Sequence, residues 1–489
     1  MTVYKGHFLT VIFIFFSLST SLFSQNRTLS KHEMSQDLDS LYTIVTKYCS
    51  FLPLLEERTN ISVKEEFDLL RKELPTTETT FDFTNLVRRH LNILNDGHTT
   101  LTNKSSVKWF TEESYLKSVS NITLLDTLYA DYYHTIISDS IFPLIKSGLR
   151  TKYIDGKYYN VRPFYYNGIK INSGEEIKSI NKVSINKFVS NYYDQMFFLM
   201  WDTNNRQWYS DYFTLSLPFL KQDIYTLRVG NKDILINSNN TLINLEKEKY
   251  SLHSAPQVSI IDNNILYIYM PMMMDKERYI NEIIKKYNGN IDNIIFDLRG
   301  NGGGDDSVWS SILSMIIKEP LSYDYKVGMI NDKILEKAIS NFGEISIQND
   351  HMTVYKNRTI HPHRNSINFT GPIFIIQDKY TFSAASAFVS CALQNEPRFT
   401  IIGERSSLIS GYTFPPIVFK LSNSGIAFKL GFSFDKTGGV TNRYMDKVDV
   451  EIKENITDYI EKLYEYDSHS MWYLENKDKC ISYVKELSF

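Results

Sequence analysis

The chain has 489 residues, 43% of them hydrophobic, with 53 basic and 56 acidic side chains and a formal net charge of −3. That length exceeds one ordinary domain and supplies enough apolar residues for more than one core. The near-balanced charge, with no block of one sign, excludes a phosphate-tracking nucleic-acid surface and an acidic partner tail.

Residues 1–24 read as a signal peptide: Lys5, then the apolar run Phe8 to Phe16, then a small polar stretch that leads to Gln25. The run is too short to span a bilayer, no later segment reaches the roughly 18 uninterrupted apolar residues a membrane helix needs, and no cysteine lies near the cleavage point to take a lipid. An exported chain, periplasmic or extracellular, with no membrane span after processing is therefore expected. Residues 25–140 are expected to form a helical region. Apolar residues at helical spacing run through Met34 to Leu54 and Val63 to Leu94, with Leu69, Leu70, Leu74, Phe83, Leu86 and Leu91 as examples, and they end at the turn Asn95-Asp96-Gly97-His98.

Across 145–240 the pattern changes to short β-branched and aromatic runs divided by Gly and Asn, as at Tyr225 to Gly230, which predicts a small β module. Across 255–455 strand-like and helix-like runs take turns. Ile265 to Tyr269, Ile294 to Leu298 and Ile373 to Ile376 read as strands; Arg278 to Tyr287, the Val308-Ile312-Ile316 stripe and Ala385 to Ala392 read as helices. Such alternation predicts crossover units on a central sheet, so the fold class is α/β within an α+β multidomain chain. Residues 456–489 are expected to be a helical tail.

Three stretches carry chemistry. Asp297-Leu298-Arg299-Gly300-Asn301-Gly302-Gly303-Gly304 follows a strand and precedes a helix, so its backbone N–H groups could hold an oxyanion; a plain flexible turn is the other reading. A nucleotide phosphate loop is disfavoured because no Gly-Lys-Ser/Thr ending follows. Asp378-Lys379-Tyr380-Thr381-Phe382-Ser383-Ala384-Ala385-Ser386 also joins a strand to a helix, and by itself Ser383 fits a helix cap as well as a nucleophile. His98, in the polar turn Asp96-Gly97-His98-Thr99, is either a surface residue or a general base.

Together these stretches resemble the family of serine peptidases that includes the C-terminal processing (tail-specific) peptidases and the tricorn core. The order is the same: a Gly-His-Thr turn, a PDZ-like module here carried by Gly174 to Ile185 and Tyr225 to Ile236, the Asp-Leu-Arg-Gly-Asn-Gly-Gly-Gly loop, then the Ser-Ala-Ala-Ser turn. The resemblance implies a PDZ-like β module and a crotonase-like α/β catalytic core. One branch of the family uses a Ser-Lys dyad whose lysine follows a Gly-Glu pair. After Gly403-Glu404 no such lysine occurs, since none lies between Ala384 and Phe419. His98 matches the other, tricorn-like branch.

The resemblance therefore implies Ser383 as nucleophile, His98 as its base, and Ala384 with Gly302 or Gly303 as oxyanion donors. It places the acidic partner of the histidine downstream, where this chain has Gly438 to Asp449 without the family's proline and with Asn442 near the expected carboxylate. Asp435, Asn442, Asp446 and Glu404 are the candidates for that role. The implied activity is a serine endopeptidase with a protein or peptide substrate and no cofactor. A small-ester hydrolase would use the same groups, and a weak or inactive binding protein on the same fold is the alternative if the acidic residue is missing. The pattern specifies no oligomeric state.

Other residues read more plainly. Cys49, Cys391 and Cys480 are odd in number and far apart, which gives no disulfide framework and one pair at most. His351, His361 and His363 lie in a polar stretch without a cysteine or acidic cluster, so no metal site is expected, and the stretch reads as a surface insertion. Met270, Met272, Met273 and Met274 cluster around Pro271, with core packing as the default reading and an adaptable apolar substrate wall as the other.

Overall fold

The computed structural model describes residues 28–102 and 149–487, apart from 167, 221, 223, 238–243, 246–247, 253–254, 288 and 441–442. The expected signal peptide and Asn442 lie outside the described residues.

Four helices open the described chain: α1 (Lys31–Tyr48), α2 (Leu52–Thr59), α3 (Val63–Arg71) and α4 (Thr80–Asn92). Ser30 and Thr79 begin α1 and α4 with capping boxes, closed by Glu33 and Asp82. The apolar spacing from Val63 to Leu94 does not form one helix. Pro75 stands in a short 3₁₀ turn, Leu74–Thr76, that separates α3 from α4, because proline removes a donor and clashes with the preceding turn. Phe83, Leu86 and Leu91 are buried as the spacing implies, whereas Leu69 is 52% exposed. After α4 the chain turns at 95–98 into β1 (Thr100–Leu101), which pairs with a strand more than three hundred residues later, Thr100 against Lys429 and Leu101 against Phe428. That pairing fixes the histidine turn to the body of the molecule.

An antiparallel sheet follows, from β2 (Thr151–Ile154), β3 (Lys157–Asn160), β4 (Glu176–Ile180), β5 (Ile224–Val229) and β6 (Lys232–Asn237), with α5 (Ile185–Asn191) between β4 and β5. The strands lie in the order β6-β5-β4-β3-β2. Along β5, Tyr225, Leu227 and Val229 face inward, the period-two pattern of a sheet with one covered face.

The central sheet runs β7-β8-β9-β13-β14-β18, from β7 (Gln257–Ile261), β8 (Ile265–Tyr269), β9 (Asn293–Asp297), β13 (Ile373–Gln377), β14 (Phe399–Gly403) and β18 (Val450–Glu451). Only the β7–β8 pair is antiparallel. Helix α6 (Lys276–Lys286) joins β8 to β9, α7 (Asp306–Ile316) follows β9, and α9 (Ala384–Leu393) joins β13 to β14. The inner strands β8, β9 and β13 are buried at every position because both faces are covered. Leu266, Ile268, Ile294 and Phe296 pack on α7 and α9 through Val308, Ile312 and Phe388; Ile265, Tyr267, Ile295 and Phe374 pack against Leu474, Ile481 and Val484. The latter three come from α11 (Met471–Asn476) and α12 (Lys479–Leu487), which follow α10 (Ile456–Tyr464).

The stretch between the glycine loop and the serine turn, expected as a surface insertion, contains a second sheet. Its strands β10 (Leu321–Ile330), β11 (Glu344–Gln348) and β12 (His351–Ile360), with the short α8 (Lys333–Ile339) after β10, join β17 (Ser433–Asp435) in the order β11-β12-β10-β17. A further pair, β15 (Ile417–Lys420) and β16 (Ala427–Leu430), carries β1.

No helix among the described residues is long and apolar enough to cross a membrane. Cys49, Cys391 and Cys480 are free and buried, and burial pushes the Cys480 thiol up to about 12.

Candidate active site

Residues 378–383 carry the chain from β13 into α9. Asp378 closes the turn by accepting the Tyr380 N–H at 3.0 Å, and the Asp378 N–H donates to Thr381 Oγ1 at 3.0 Å. Ser383 then takes φ 55° and ψ −124°, a region that side-chain-bearing residues avoid at a cost of about 1–3 kcal/mol. Its carbonyl accepts the Ala387 N–H at 3.0 Å, while its hydroxyl makes no cap bond to the helix. A serine acting as a cap would point its Oγ at the first turn; here Oγ is left for other contacts.

The glycine loop follows β9 and lies directly against this turn. Asn301 organises it: its Nδ2 donates to the Met270 carbonyl at 2.8 Å, its Oδ1 accepts the Gly303 N–H at 2.8 Å, and its own carbonyl accepts the Phe382 N–H at 3.0 Å. Gly303 has φ 107°, and a Cβ there would sit 2.5 Å from Ser383 Cβ, so only glycine lets the two segments touch. This geometry corrects one expectation. The Gly303 N–H is already spent on Asn301, so of the expected oxyanion donors Gly302 and Ala384 remain.

His98 approaches from the other side. Its Nε2 is 3.3 Å from Ser383 Oγ, and its ring stacks obliquely on Phe382 with centroids 4.7 Å apart. Around Nδ1 lie Ser410 Oγ and Thr413 Oγ1, each at 3.4 Å, and Asp96 Oδ1 at 3.5 Å. The Ser410 hydroxyl donates to Asp96 Oδ1, and the Thr99 hydroxyl donates to Asp96 Oδ2 at 2.7 Å. The Asp96 side chain is fully buried while that of His98 is 16% exposed. Burial alone would push the Asp96 carboxyl up, but His98, Ser410 and Thr99 outweigh it and hold the group below the ordinary carboxylate range. Gly431 makes room for this carboxylate, since a Cβ there would lie 2.0 Å from Asp96 Oδ2.

The acidic partners expected downstream stand elsewhere. Asp435 is buried on β17; its Oδ1 accepts the Thr437 N–H at 2.8 Å, its Oδ2 has no hydrogen-bond partner among the described residues, and burial pushes its carboxyl up to about 6. Asp446 pairs with Arg443 at 2.8 Å. Glu404 lines a chamber of about 1150 Å³ whose walls also include Asp96, Gly97 and Gly302. Burial raises the Glu404 carboxyl, with Lys379 opposing. Among the described residues, the carboxylate at His98 is that of Asp96, two positions before it in the same turn.

A buried carboxylate behind Nδ1 favours the tautomer with a proton there, which leaves the Nε2 lone pair facing Ser383 Oγ. The arrangement can take a proton from Oγ and return it to a leaving group. Away from this site, His363 Nδ1 accepts the Asn365 N–H at 3.2 Å, and no group of three or more His, Cys, Asp or Glu among the described residues is disposed to hold a metal.

Residues 264–443 match the model of a family described as peptidase family S41. The structure is similar to that of mature CPAF, with TM-score 0.55 and 13% identity over 93% of this chain and 98% of that chain. Mature CPAF complexed with lactacystin gives TM-score 0.55 and 13% identity over 93% of this chain and 99% of that chain. The photosystem II D1 C-terminal processing protease is more distant, at TM-score 0.36 and 13% identity over 86% of this chain and 93% of that chain. At these identities the likeness is one of fold. No relative of curated function matches the chain in sequence.

Proposed function

We propose that the protein, whose residues 264–443 match the model of peptidase family S41, is an exported serine endopeptidase working through an acyl-enzyme at Ser383. The observation that carries the reading is the 3.3 Å approach of His98 Nε2 to Ser383 Oγ, with the Asp96 carboxylate 3.5 Å behind Nδ1.

Ser383 Oγ attacks the scissile carbonyl carbon as its proton passes to His98 Nε2. Asp96 stabilises the imidazolium, directly and through the Ser410 hydroxyl. The oxyanion is met by the N–H groups of Gly302 and Ala384, the latter at the start of α9, where the helix dipole adds positive potential. Collapse breaks the C–N bond, and the amine leaves with the Nε2 proton. Water, deprotonated by the same nitrogen, then attacks the ester carbonyl; the C–Oγ bond breaks, the acid product leaves, and the Nε2 proton returns to Ser383 Oγ.

The antiparallel module acts in this reading as a PDZ-like gatherer of extended peptide, by strand addition at a sheet edge. The apolar run after Lys5 supplies the export signal. The Asp96 carboxylate 3.5 Å from His98 Nδ1 favours this reading over a binding protein without chemistry. The test is digestion of unfolded casein by the mature protein, followed by mass spectrometry. Fragments that accumulate with the wild type and not with Ser383→Ala are expected. No fragments, or equal fragments from both proteins, would contradict the proposal.

A further inference from the structure

The methionine cluster divides in two. Met270 and Met273 are 0% exposed and belong to the core with Leu298 and Trp309, whereas Met272 and Met274 are 50% and 53% exposed. Core packing thus accounts for one half of the cluster and leaves two large apolar side chains in solvent.

Their position is not arbitrary. The segment leaves β8 and runs beside the glycine loop. The Met270 N–H donates to the Asp297 carbonyl at 2.9 Å, the Met273 N–H donates to the Gly303 carbonyl at 2.9 Å, and the Met273 carbonyl accepts the Asp305 N–H at 3.0 Å. Asn301 also holds this segment, through the Met270 carbonyl at 2.8 Å. Gly303 in turn lies against Ser383, where a Cβ would come within 2.5 Å. Met272 and Met274 therefore project from a backbone pinned to the loop that touches the reacting serine, alternating with an inward-facing Met273.

We propose that Met272 and Met274 form the apolar wall that seats a bulky apolar side chain beside the scissile bond, so that the preferred substrates are peptides with leucine-like or aromatic residues there. The inference rests on the reading of Ser383 as nucleophile. A peptidase must hold the residues flanking the bond it cuts, and the rigid segment neighbouring its glycine loop offers those residues apolar contact. Thioether side chains are unbranched and polarisable, so the wall adapts to aliphatic and aromatic shapes rather than selecting one.

The experiment is cleavage-site profiling on a proteome-derived peptide library with the wild type, Ser383→Ala, the double variant Met272→Ser/Met274→Ser, and Met272→Lys/Met274→Lys. The wild type is expected to cut beside large apolar residues. In the serine variant the preference for these over small residues should fall roughly 10- to 100-fold, the range for loss of apolar contact in a specificity pocket, and the lysine variant should gain acidic residues at the same subsite. Unchanged melting temperatures would show that both variants fold. A wild-type preference that persists in both variants overturns the inference and leaves the peptidase reading standing. Absence of any cleavage that depends on Ser383 overturns the reading, and the inference with it.

Discussion

At the scale of single residues, the site turns on Asp96. Its carboxylate is buried, accepts from the Ser410 and Thr99 hydroxyls, and lies 3.5 Å from His98 Nδ1. Replacement by asparagine keeps the shape and removes the charge, so kcat/KM should fall by about 10²- to 10⁴-fold, as expected when a base loses its orienting carboxylate. Ser410→Ala, which keeps the carboxylate, should cost less, roughly tenfold. A peptide-cleavage assay checks both. The pH dependence has a definite sign. The folded-state pKa of Asp96 is depressed, so its contribution to stability is present above the ordinary carboxylate pKa and is lost as pH falls through the depressed value. The stability gap between the wild type and Asp96→Asn, read by urea unfolding, should close on acidification. The approach of His98 to Ser383 is foreshadowed in the sequence because each residue sits in a motif. Asp96 stands in the same turn, but the family pattern places the acidic partner downstream, at Asp435, Asn442, Asp446 or Glu404. The available signal was an acid two residues before the histidine, close enough to share its turn.

At the scale of elements, two strand-to-loop junctions meet. The serine turn ends β13, the glycine loop ends β9, and these strands are parallel neighbours with Asp297 opposite Ile376. Their C-terminal ends thus deliver both loops to one edge of the sheet. Gly303→Ala adds a Cβ where Ser383 Cβ stands and strains a backbone at φ 107°, so activity should be lost and stability lowered by about 1–3 kcal/mol; urea unfolding alongside the cleavage assay checks this. Strands β8, β9 and β13 and helices α6, α7 and α9 are readable in the sequence to within about two residues, because doubly covered strands are largely apolar runs, whereas β7, β14 and β18 are not. The inserted sheet was not read, although β10 alternates buried Leu321, Tyr323, Tyr325 and Val327 with more exposed residues. That period-two signal was masked by the polar and histidine-containing stretch that follows it. The close pairing of β1 with β16 is likewise beyond local pattern, because it joins Thr100 to Lys429.

At the scale of the whole molecule, the antiparallel module and the serine turn share a buried charge cluster. Asp211 accepts from Lys152 Nζ at 3.0 Å, from the Tyr153 N–H at 2.6 Å and from the Tyr380 hydroxyl, while Lys379 Nζ lies 3.6 Å away. Lys379 also donates to the Tyr153 carbonyl at 3.0 Å. Burial would raise the Asp211 carboxyl, yet Lys152 and Lys379 hold it far below its ordinary value. Tyr380 and Lys379 belong to the serine turn, so the module is anchored within a few residues of Ser383. Lys152→Met leaves Asp211 short of its main counter-charge and should cost about 3–5 kcal/mol in urea unfolding, with Asp211→Asn in the same chain recovering part of that loss.

The central claim, that Ser383 is a nucleophile activated by His98, is tested most directly by labelling the purified mature protein with a fluorophosphonate probe and mapping the adduct. The account predicts an adduct on Ser383 in the wild type and none in Ser383→Ala or His98→Ala. A folded wild type that stays unlabelled, or a His98→Ala variant labelled as fast as the wild type, would contradict it.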